Sequence, residues 1–264
     1  MSTRSRLLCT ALFLAVLPGL TFAGEDLPAA ERYHVRLEYL WWSPQLDGQL
    51  QKGFSENEGT VLDTRADLGI RETASNLLQG TVRFGGRWKL RGAWHRMDYD
   101  GDVPAARAFV YGTADVSPEQ RVVTSFTGHE FTAELQYDLV QRSIGFAGLR
   151  LGVKYFDVST TLVATDEGRT IGRVADTEKL PVPVVGVAIR AYPHERVSIE
   201  GELSGLPAGS RGYLWELLVA ARGHLGDRLA VTVGWRKLAL EGNNDRDSLK
   251  LGLSKWTLGV EISL

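Results

Sequence analysis

The chain has 264 residues, and its 30 Lys and Arg residues nearly balance 32 Asp and Glu residues, for a formal net charge of −2. The lack of a basic excess argues against nucleic acid as a partner. A single cysteine excludes an intrachain disulfide scaffold and a metal site built from several cysteines.

The first 23 residues predict a secretory signal peptide. Two arginines precede an apolar run from Leu7 to Leu20, and Thr21-Phe22-Ala23 matches a small-x-small cleavage site. A membrane anchor helix is the alternative, but the run is shorter than the ~20 apolar residues that a span needs. We expect cleavage to remove Cys9 and to leave residues 24–264 as one mature domain without a thiol.

The first three predicted strands alternate apolar and polar residues with a period of two. They cover Arg32–Trp42, Leu77–Phe84 and Arg87–Tyr99. Because successive side chains of a strand point to opposite faces, the alternation gives each strand one apolar and one polar face. Gly85-Gly86 predicts a tight turn between the second strand and the third.

Five further strands continue the pattern. Strand four ends at Asp138, strand five passes through Leu149–Tyr155, strand six spans roughly Glu178–Tyr192, and strand seven starts at Val197. Strand eight, Tyr213–Leu225, also fits an amphipathic helix. Its period-two alternation matches both neighbours, so we predict a strand there.

The final hairpin, from Leu229 to Leu264, carries the clearest alternation. Apolar side chains share one face of its last strand, namely Trp256, Leu258, Val260, Ile262 and Leu264. The residues between them are polar or small. Segments of about ten alternating residues separated by turns are typical of strands that cross the bacterial outer membrane as a barrel.

The connections between the predicted strands alternate in length. Long polar connections cover Gln45–Ser75, Asp100–Gln120 and Thr165–Asp176, whereas tight turns follow strands two, four, six and eight. We therefore predict an all-β fold, an antiparallel up-and-down transmembrane β-barrel of about ten strands. Its short turns and both termini would be periplasmic and its longer loops extracellular.

Aromatic residues on the apolar faces predict two membrane girdles. Tryptophan and tyrosine concentrate where lipid meets water, and a soluble barrel with a tryptophan core is the alternative. We assign Trp41, Trp94, Tyr155, Trp215 and Trp256 to the outer rim and Tyr33, Trp88, Tyr137 and Tyr192 to the periplasmic rim, with Trp235 also facing lipid.

The alternating strands, the turn pattern and the apolar end Val260-Glu-Ile-Ser-Leu264 resemble the small outer-membrane β-barrel proteins of Gram-negative bacteria. The resemblance covers nearly the whole mature chain. It implies an integral outer-membrane location, contact with lipid and lipopolysaccharide, and recognition of the C-terminal strand by the barrel-assembly machinery. Members of this class usually end in an aromatic residue, and Leu264 stands in that position here.

The polar faces predict a charged barrel interior. Barrels of about eight strands fill with side chains, whereas those of sixteen or more leave a channel. A structural ion-pair network and a narrow selective pore both remain open, and the mixed signs favour the network. The candidate pore-lining residues are Arg36, Glu38, Arg83, Arg91, Glu134, Arg150, Lys154, Arg190, Glu202, Glu216, Arg222 and Arg236.

An acidic pair at the end of the third strand resembles part of the omptin active site. Omptins are ten-stranded outer-membrane proteases, but the likeness covers only Asp98 and Asp100. The Asp-x-His pair of that family does not occur in this sequence, and His129-Glu130 is the nearest substitute. Asp98 and Asp100 are therefore weak catalytic candidates, and a strand end running into a turn also favours aspartate.

The sequence predicts no metal site and no cofactor. The histidines at 34, 95 and 224 share the inward parity but differ in height, and His194 lies in a turn. The acidic clusters Asp98–Asp102 and Asn243–Asp247 match no EF-hand spacing, so solvated loops explain them better.

Two prolines in strand six carry a separate hypothesis. Proline removes a donor from the strand ladder and is confined to edges or bulges. Pro181 and Pro183 could open a gap in the wall near the outer rim, through which apolar molecules pass sideways into lipid. A simple kink leading into the loop is the preferred alternative.

The predicted function is non-enzymatic: an integral outer-membrane barrel that is structural or forms a narrow passive pore. A lateral diffusion channel for small hydrophobic molecules and an omptin-like rim hydrolase are the alternatives. The sequence leaves the oligomeric state open.

Overall fold

The structure is a computed structural model that describes residues 27–54, 58–73, 75–207, 212–243 and 247–264. The predicted signal peptide, residues 1–23, lies outside the described residues. A short 3₁₀ turn, Ala29–Glu31, precedes the first strand. No helix of the described chain is both long and apolar enough to span a bilayer.

Fourteen strands form the described fold. In chain order they are β1 (Val35–Trp42), β2 (Gln45–Gln51), β3 (Leu62–Asp63), β4 (Ser75–Phe84), β5 (Trp88–Pro104), β6 (Phe109–Tyr111), β7 (Ala114–Val116), β8 (Arg121–Arg142), β9 (Gly145–Asp166), β10 (Arg169–His194), β11 (Val197–Pro207), β12 (Gly212–His224), β13 (Leu229–Asn243) and β14 (Ser248–Ser263).

Ten of these strands form a closed antiparallel barrel. The order around the wall is β1-β4-β5-β8-β9-β10-β11-β12-β13-β14, and β14 pairs with β1 to close it. The predicted fold class is therefore confirmed. The segment with helical spacing is strand β12, whose side chains alternate between the interior and the outside as predicted.

The seam that closes the barrel has two parts. The membrane-level half of β14 pairs with β1, from Arg36–Ser263 to Trp42–Thr257. Its other half pairs with β2, from Gln45–Ser254 to Gln51–Ser248. Ser43-Pro44 separates the two ladders, so one chain segment with a single break runs along the whole of β14.

The four predicted tight turns lie at one end of the barrel, as predicted, but the long connections at the other end are more ordered than predicted. Gln45–Ser75 contains β2 and β3, and Asp100–Gln120 contains the upper part of β5 and the hairpin of β6 and β7. The prediction of a loop over Thr165–Asp176 is wrong. There β9 and β10 continue to a two-residue turn at Glu167 and Gly168, where both residues have positive φ.

The outside of the lower barrel is apolar. Side chains of Leu, Ile, Val and Trp point away from the interior on all ten strands, and many are about half exposed, for example Leu151, Ile199, Val233 and Leu258. A continuous apolar surface of this extent is not stable in water, and around a closed barrel it is the surface that faces lipid.

Candidate functional site: the barrel interior

The interior consists of two zones stacked along the barrel. The lower, membrane-level part is filled by nine cationic and nine carboxylate side chains, which we call the charged zone. They are Arg36, Arg83, Lys89, Arg91, Arg150, Lys154, Arg190, Arg222 and Arg236 with Glu31, Glu38, Glu130, Glu134, Asp138, Glu200, Glu202, Glu216 and Glu261. The equal numbers allow every charge to be compensated without water.

Glu31 is the hub of the charged zone at its periplasmic end. Its side chain is fully buried and accepts contacts from Arg36 (3.2 Å), Arg83 (2.6 Å), Lys89 (3.4 Å) and Arg190 (3.2 Å). The Tyr192 hydroxyl donates a further hydrogen bond of 2.7 Å. The 3₁₀ turn thus inserts a carboxylate from outside the wall into a ring of four cations, which closes that mouth of the barrel.

The centre of the charged zone is a second network. Arg222 contacts Glu38 at 3.1 Å and Glu261 at 3.0 Å and also pairs with Glu200. Glu200 is held in addition by two hydrogen bonds of 3.1 Å from one amino group of Arg190. Ion pairs that share partners in this way fix each long side chain in one rotamer, so they leave little room for an ion path.

A third network occupies the upper part of the charged zone. Arg150 pairs with Glu134 and, at 2.7 Å, with Glu202. One layer higher, Lys154 lies 2.5 Å from Glu130 and 2.7 Å from Glu216. These carboxylates and cations alternate around the interior, as the mixture of positive and negative residues at inward positions of the sequence predicts.

Two of the small cavities among the described residues lie between these networks. One, of about 20 Å³, is lined by residues including Arg36, Lys89 and Glu200, and the other, of about 30 Å³, by residues including Glu134 and Arg236. Such volumes hold one or two water molecules each. The second cavity is the natural place for water, because Glu134 Oε1 and Arg236 Nη1 are buried without a hydrogen-bond partner among the described residues.

Above the charged zone the interior is apolar. We call this part the apolar zone; its members include Trp42, Leu46, Leu62, Leu68, Met97, Tyr99, Phe109, Val122, Phe126, Phe156, Leu162, Val174, Leu214, Leu238 and Leu253. They come from the upper parts of the long strands and from β2, β3 and the β6–β7 hairpin. This zone was not predicted, because the polar composition of those segments is typical of loops.

The structure places all twelve candidate pore-lining side chains inside the barrel. Eight of the nine candidate girdle residues lie on the outside, namely Trp41, Trp88, Trp94, Tyr137, Tyr155, Trp215, Trp235 and Trp256. Neighbouring strands bring some of them together: Trp88 lies 4.7 Å from Tyr137, and Phe131 lies 6.5 Å from Tyr155, measured between ring centroids.

The assignment of Tyr33 to the periplasmic girdle is wrong. Its side chain is 2% exposed and lies inside the mouth, where the Arg36 guanidinium stacks 3.8 Å from its ring centroid. The reason is that β1 begins only at Val35, so the parity of the strand does not extend back to Tyr33. Tyr192 is also inside, because it shares the parity of Arg190.

The candidate catalytic aspartates lie outside the barrel. Asp98 follows Trp94 and Arg96 on the outward parity of β5 and accepts a 2.7 Å hydrogen bond from Arg96 Nε. Asp100, two residues further on, is exposed. Neither carboxylate faces the interior. Within the described chain, no group of three or more His, Cys, Asp or Glu side chains is arranged to hold a metal ion.

Besides the apolar zone, two polar residues of the interior, Glu31 and Ser75, were not predicted to lie there. Glu31 lies before the first strand, and no pattern assigned it a place. Ser75 opens β4, and its hydroxyl lies 2.5 Å from His95 Nε2. A signal for Glu31 was present, because the inward parity gave more cations than carboxylates.

A closed antiparallel barrel with an apolar outside, aromatic side chains at its rims and a charge-balanced interior is an integral β-barrel of the outer-membrane type. Solved structures with this fold agree. The chain matches the outer membrane protease OmpT from Escherichia coli with a TM-score of 0.61 at 9% identity, covering 93% of this chain and 99% of OmpT. It matches the translocator domain of the autotransporter NalP from Neisseria meningitidis with a TM-score of 0.53 at 10% identity, covering 88% of each chain.

At such identities the likeness is one of fold alone. No protein-family model and no curated protein sequence matches the chain.

Proposed function

We propose that this protein is a closed, non-conducting barrel that anchors a rigid extracellular sheet in the outer membrane. The filled interior carries the proposal. The charged zone contains cavities of about 20 and 30 Å³, each large enough for one or two water molecules, and the apolar zone lies above it. Ions or solutes could pass only by displacing the side chains of both zones.

The extracellular sheet supports the second half of the proposal. β5, β8, β9 and β10 extend beyond the outer aromatic rim, and their ladders reach Pro104–Arg121, Arg121–Thr165 and Arg169–Asp166, with one register shift between Thr170 and Gly172. The apolar zone backs this sheet as a core backs the sheet of a soluble protein. The barrel would therefore hold a stable surface outside the cell.

The test is single-channel conductance of the refolded mature protein in a planar bilayer. Folding would be verified by heat-modifiable migration and by resistance to protease. We expect no discrete steps from the wild type. Reproducible steps from folded wild type would contradict the proposal and support the narrow passive pore.

A double variant tests whether the filled interior is the reason that the barrel does not conduct ions. Arg91 and Glu202 pair at 2.6 Å and both line the larger cavity. The double change Arg91→Ala with Glu202→Ala removes opposite charges together and enlarges that cavity, while Arg150 keeps its pair with Glu134. We expect this variant to be more permeable to ions than the wild type, or equally silent if the apolar zone alone blocks the barrel.

The upper edge of β10 favours the lateral conduit as a second candidate. Among the described residues, β10 pairs with β9 along its whole length but with β11 only from Val185 onward. Pro181 and Pro183 lie on this unpaired edge, and Leu180, on the inward parity, is 48% exposed. Equal uptake of a hydrophobic solute by wild type and the Pro181→Val/Pro183→Val variant would remove this candidate.

A further inference from the structure

A serine, a histidine and a glutamate meet where the charged zone joins the apolar zone. Ser75, His95 and Glu130 come from three neighbouring strands, β4, β5 and β8, and all three side chains are buried. Ser75 Oγ lies 2.5 Å from His95 Nε2. His95 Nδ1 lies 3.5 Å from Glu130 Oε2, which is an ion-pair distance, and neither of these two atoms has a hydrogen-bond partner among the described residues. The order hydroxyl, imidazole, carboxylate is that of a general-base relay for a serine nucleophile.

The carboxylate decides the direction of the serine hydrogen bond. A lone pair on His95 Nδ1 would face the negative Glu130, whereas an N–H there is attracted to it. Glu130 therefore favours the tautomer with the proton on Nδ1, which leaves Nε2 as the acceptor for the Ser75 hydroxyl. The same hydroxyl lies 2.8 Å from the Arg96 carbonyl oxygen, which offers a second acceptor in the resting state.

The surroundings hold this arrangement in place. Glu130 Oε1 accepts from Lys154 at 2.5 Å and from the Thr132 hydroxyl at 3.2 Å, so its other oxygen remains directed at the histidine. The His95 ring packs against Trp42, with 5.2 Å between ring centroids. Positioning of a catalytic base requires such fixed rotamers.

Unused hydrogen-bond donors lie beside the histidine. The Arg236 guanidinium lies 5.1 Å from the Trp42 ring centroid. Trp42 Nε1 and Arg236 Nε and Nη1 are buried and have no hydrogen-bond partner among the described residues. Buried donors without partners are costly, and a developing oxyanion would satisfy them.

We propose that Ser75 is the nucleophile of a serine hydrolase site, with His95 as its general base and Glu130 as the positioning residue. The residues above the site, Trp42, Met97 and Phe156, belong to the apolar zone, so the substrate class is an ester with an apolar acyl chain. This inference goes beyond the proposed function, since a barrel closed to ions can still act on a lipid.

The chemistry needs only the ester and water. Ser75 Oγ attacks the carbonyl carbon while its proton moves to His95 Nε2, and that proton then leaves with the alcohol as the ester bond breaks. Water, deprotonated by His95, attacks the resulting acyl-serine. The Ser75–acyl bond breaks, Ser75 regains its proton from His95, and the acyl chain leaves as a carboxylic acid.

Access to Ser75 requires side chains of the apolar zone to move. Ser75 is 3% exposed, and Leu68 and Ile70, which precede it in the chain, are packed into the apolar zone. An apolar acyl chain could replace these side chains without exposing the zone to water. We therefore expect long-chain esters to react faster than short-chain ones.

The chain contains a matched control. Ser198 Oγ lies 2.9 Å from His224 Nε2, also in the interior, but the ion pairs of the described residues include none between His224 and a carboxylate. This pair lacks the third member, so Ser198 should be inert.

The test is labelling of the folded mature protein in detergent by a fluorophosphonate, followed by peptide mass spectrometry, with hydrolysis of C4 and C12 p-nitrophenyl esters in parallel. We expect adduct on Ser75 in wild type and in Ser198→Ala, and none in Ser75→Ala. Hydrolysis should fall at least about 10³-fold in Ser75→Ala. A folded, heat-modifiable wild type without adduct on Ser75, or with hydrolysis equal to that of Ser75→Ala, would overturn the proposal.

Glu130→Gln separates catalysis from a structural role. As a positioning residue, Glu130 should affect kcat by roughly 10²-fold or more and leave KM nearly unchanged, because the amide no longer stabilises the imidazolium. A variant that is folded but keeps wild-type kcat would exclude Glu130 from the site. Channel conductance is independent of all these readouts, so failure here leaves the closed-barrel proposal standing.

Discussion

The same strands build the charged zone and the apolar zone, but the side of the wall that carries apolar residues is reversed between the two. In β8, Phe131 and Leu135 point outward while Glu130 and Glu134 point inward; above that level Phe126 and Val122 point inward and Thr127 and Ser125 outward. The reason is the solvent of the outer face. Where the wall faces lipid, apolar residues belong outside, and where it faces water they belong inside.

The two zones should differ in how they respond to damage. Apolar contacts are individually weak and non-directional, so the loss of one leaves a cavity. Buried charges depend on each other, and the loss of one leaves another uncompensated in a medium of low polarity.

The largest effect is expected from Glu31→Gln. It removes the shared counter-charge of Arg36, Arg83, Lys89 and Arg190 while keeping the shape of the side chain. We expect a loss of about 3–5 kcal/mol in the free energy of unfolding, measured by guanidinium titration in detergent micelles.

Asp98→Asn is the matched control for that variant. It removes a carboxylate from the solvent-exposed pair with Arg96, and an effect of about 0–1 kcal/mol is expected. Equal losses in the two variants would show that the charged zone is no more sensitive to charge removal than the surface.

A smaller and more local effect is expected from Leu62→Ala. Leu62 is fully buried in the apolar zone on the short strand β3. Truncation of a buried leucine costs about 2–5 kcal/mol, and here the loss should appear as faster proteolysis of residues 45–73. If heat-modifiable migration of the barrel is lost as well, the two zones unfold together, which contradicts the expected difference in their response.

The smallest effect concerns the extracellular contact between Asp67 and Arg107. Hydrogen bonds from Arg107 of 3.1 and 2.8 Å lower the pKa of Asp67 below its ordinary value. Because the folded pKa is lowered, the contribution is complete above the unfolded pKa of about 3.9 and is lost as pH falls through the folded value.

Asp67→Asn should therefore proteolyse slightly faster than wild type at pH 7 and equally fast at pH 2–3. The exposure of Arg107 keeps the difference small. A difference that grows on acidification would have the wrong sign for this contact.

The lower barrel was predictable from the sequence because, on every strand there, the apolar positions face outward and the polar positions face inward. Alternation gave the ten strands, the closed topology and the inward side of all twelve candidate lining residues. Above the rim the meaning reverses, as β8 shows, so apolar parity no longer marks the outside. That reversal explains why the upper parts of β9 and β10 were predicted to be a loop.

Two further misses have a common cause. Besides the twelve candidate lining residues, the inward positions of the wall strands carry Lys89, Lys255, Glu130, Asp138, Glu200 and Glu261, which makes ten cations against eight carboxylates. The two missing partners, Glu31 and Glu72, come from segments outside the wall strands, and Glu72 pairs with Lys255. Periodicity cannot find them, but the charge imbalance indicates that they exist. Ser75 was missed because only the fold brings it to His95.

The divided seam of β14 has a consequence for folding. One strand completes the ladders of both β1 and β2, so neither zone is enclosed until the ends of the barrel sequence meet. Until then, β14 on one side and β1 with β2 on the other present unpaired edges, and such edges invite pairing with other chains. Contacts so distant in sequence form slowly. Protection from hydrogen exchange of the β14 amides that pair with β1 and β2 should therefore appear last during refolding, in both halves of the strand at once, and later than that of the β14 amides that pair with β13.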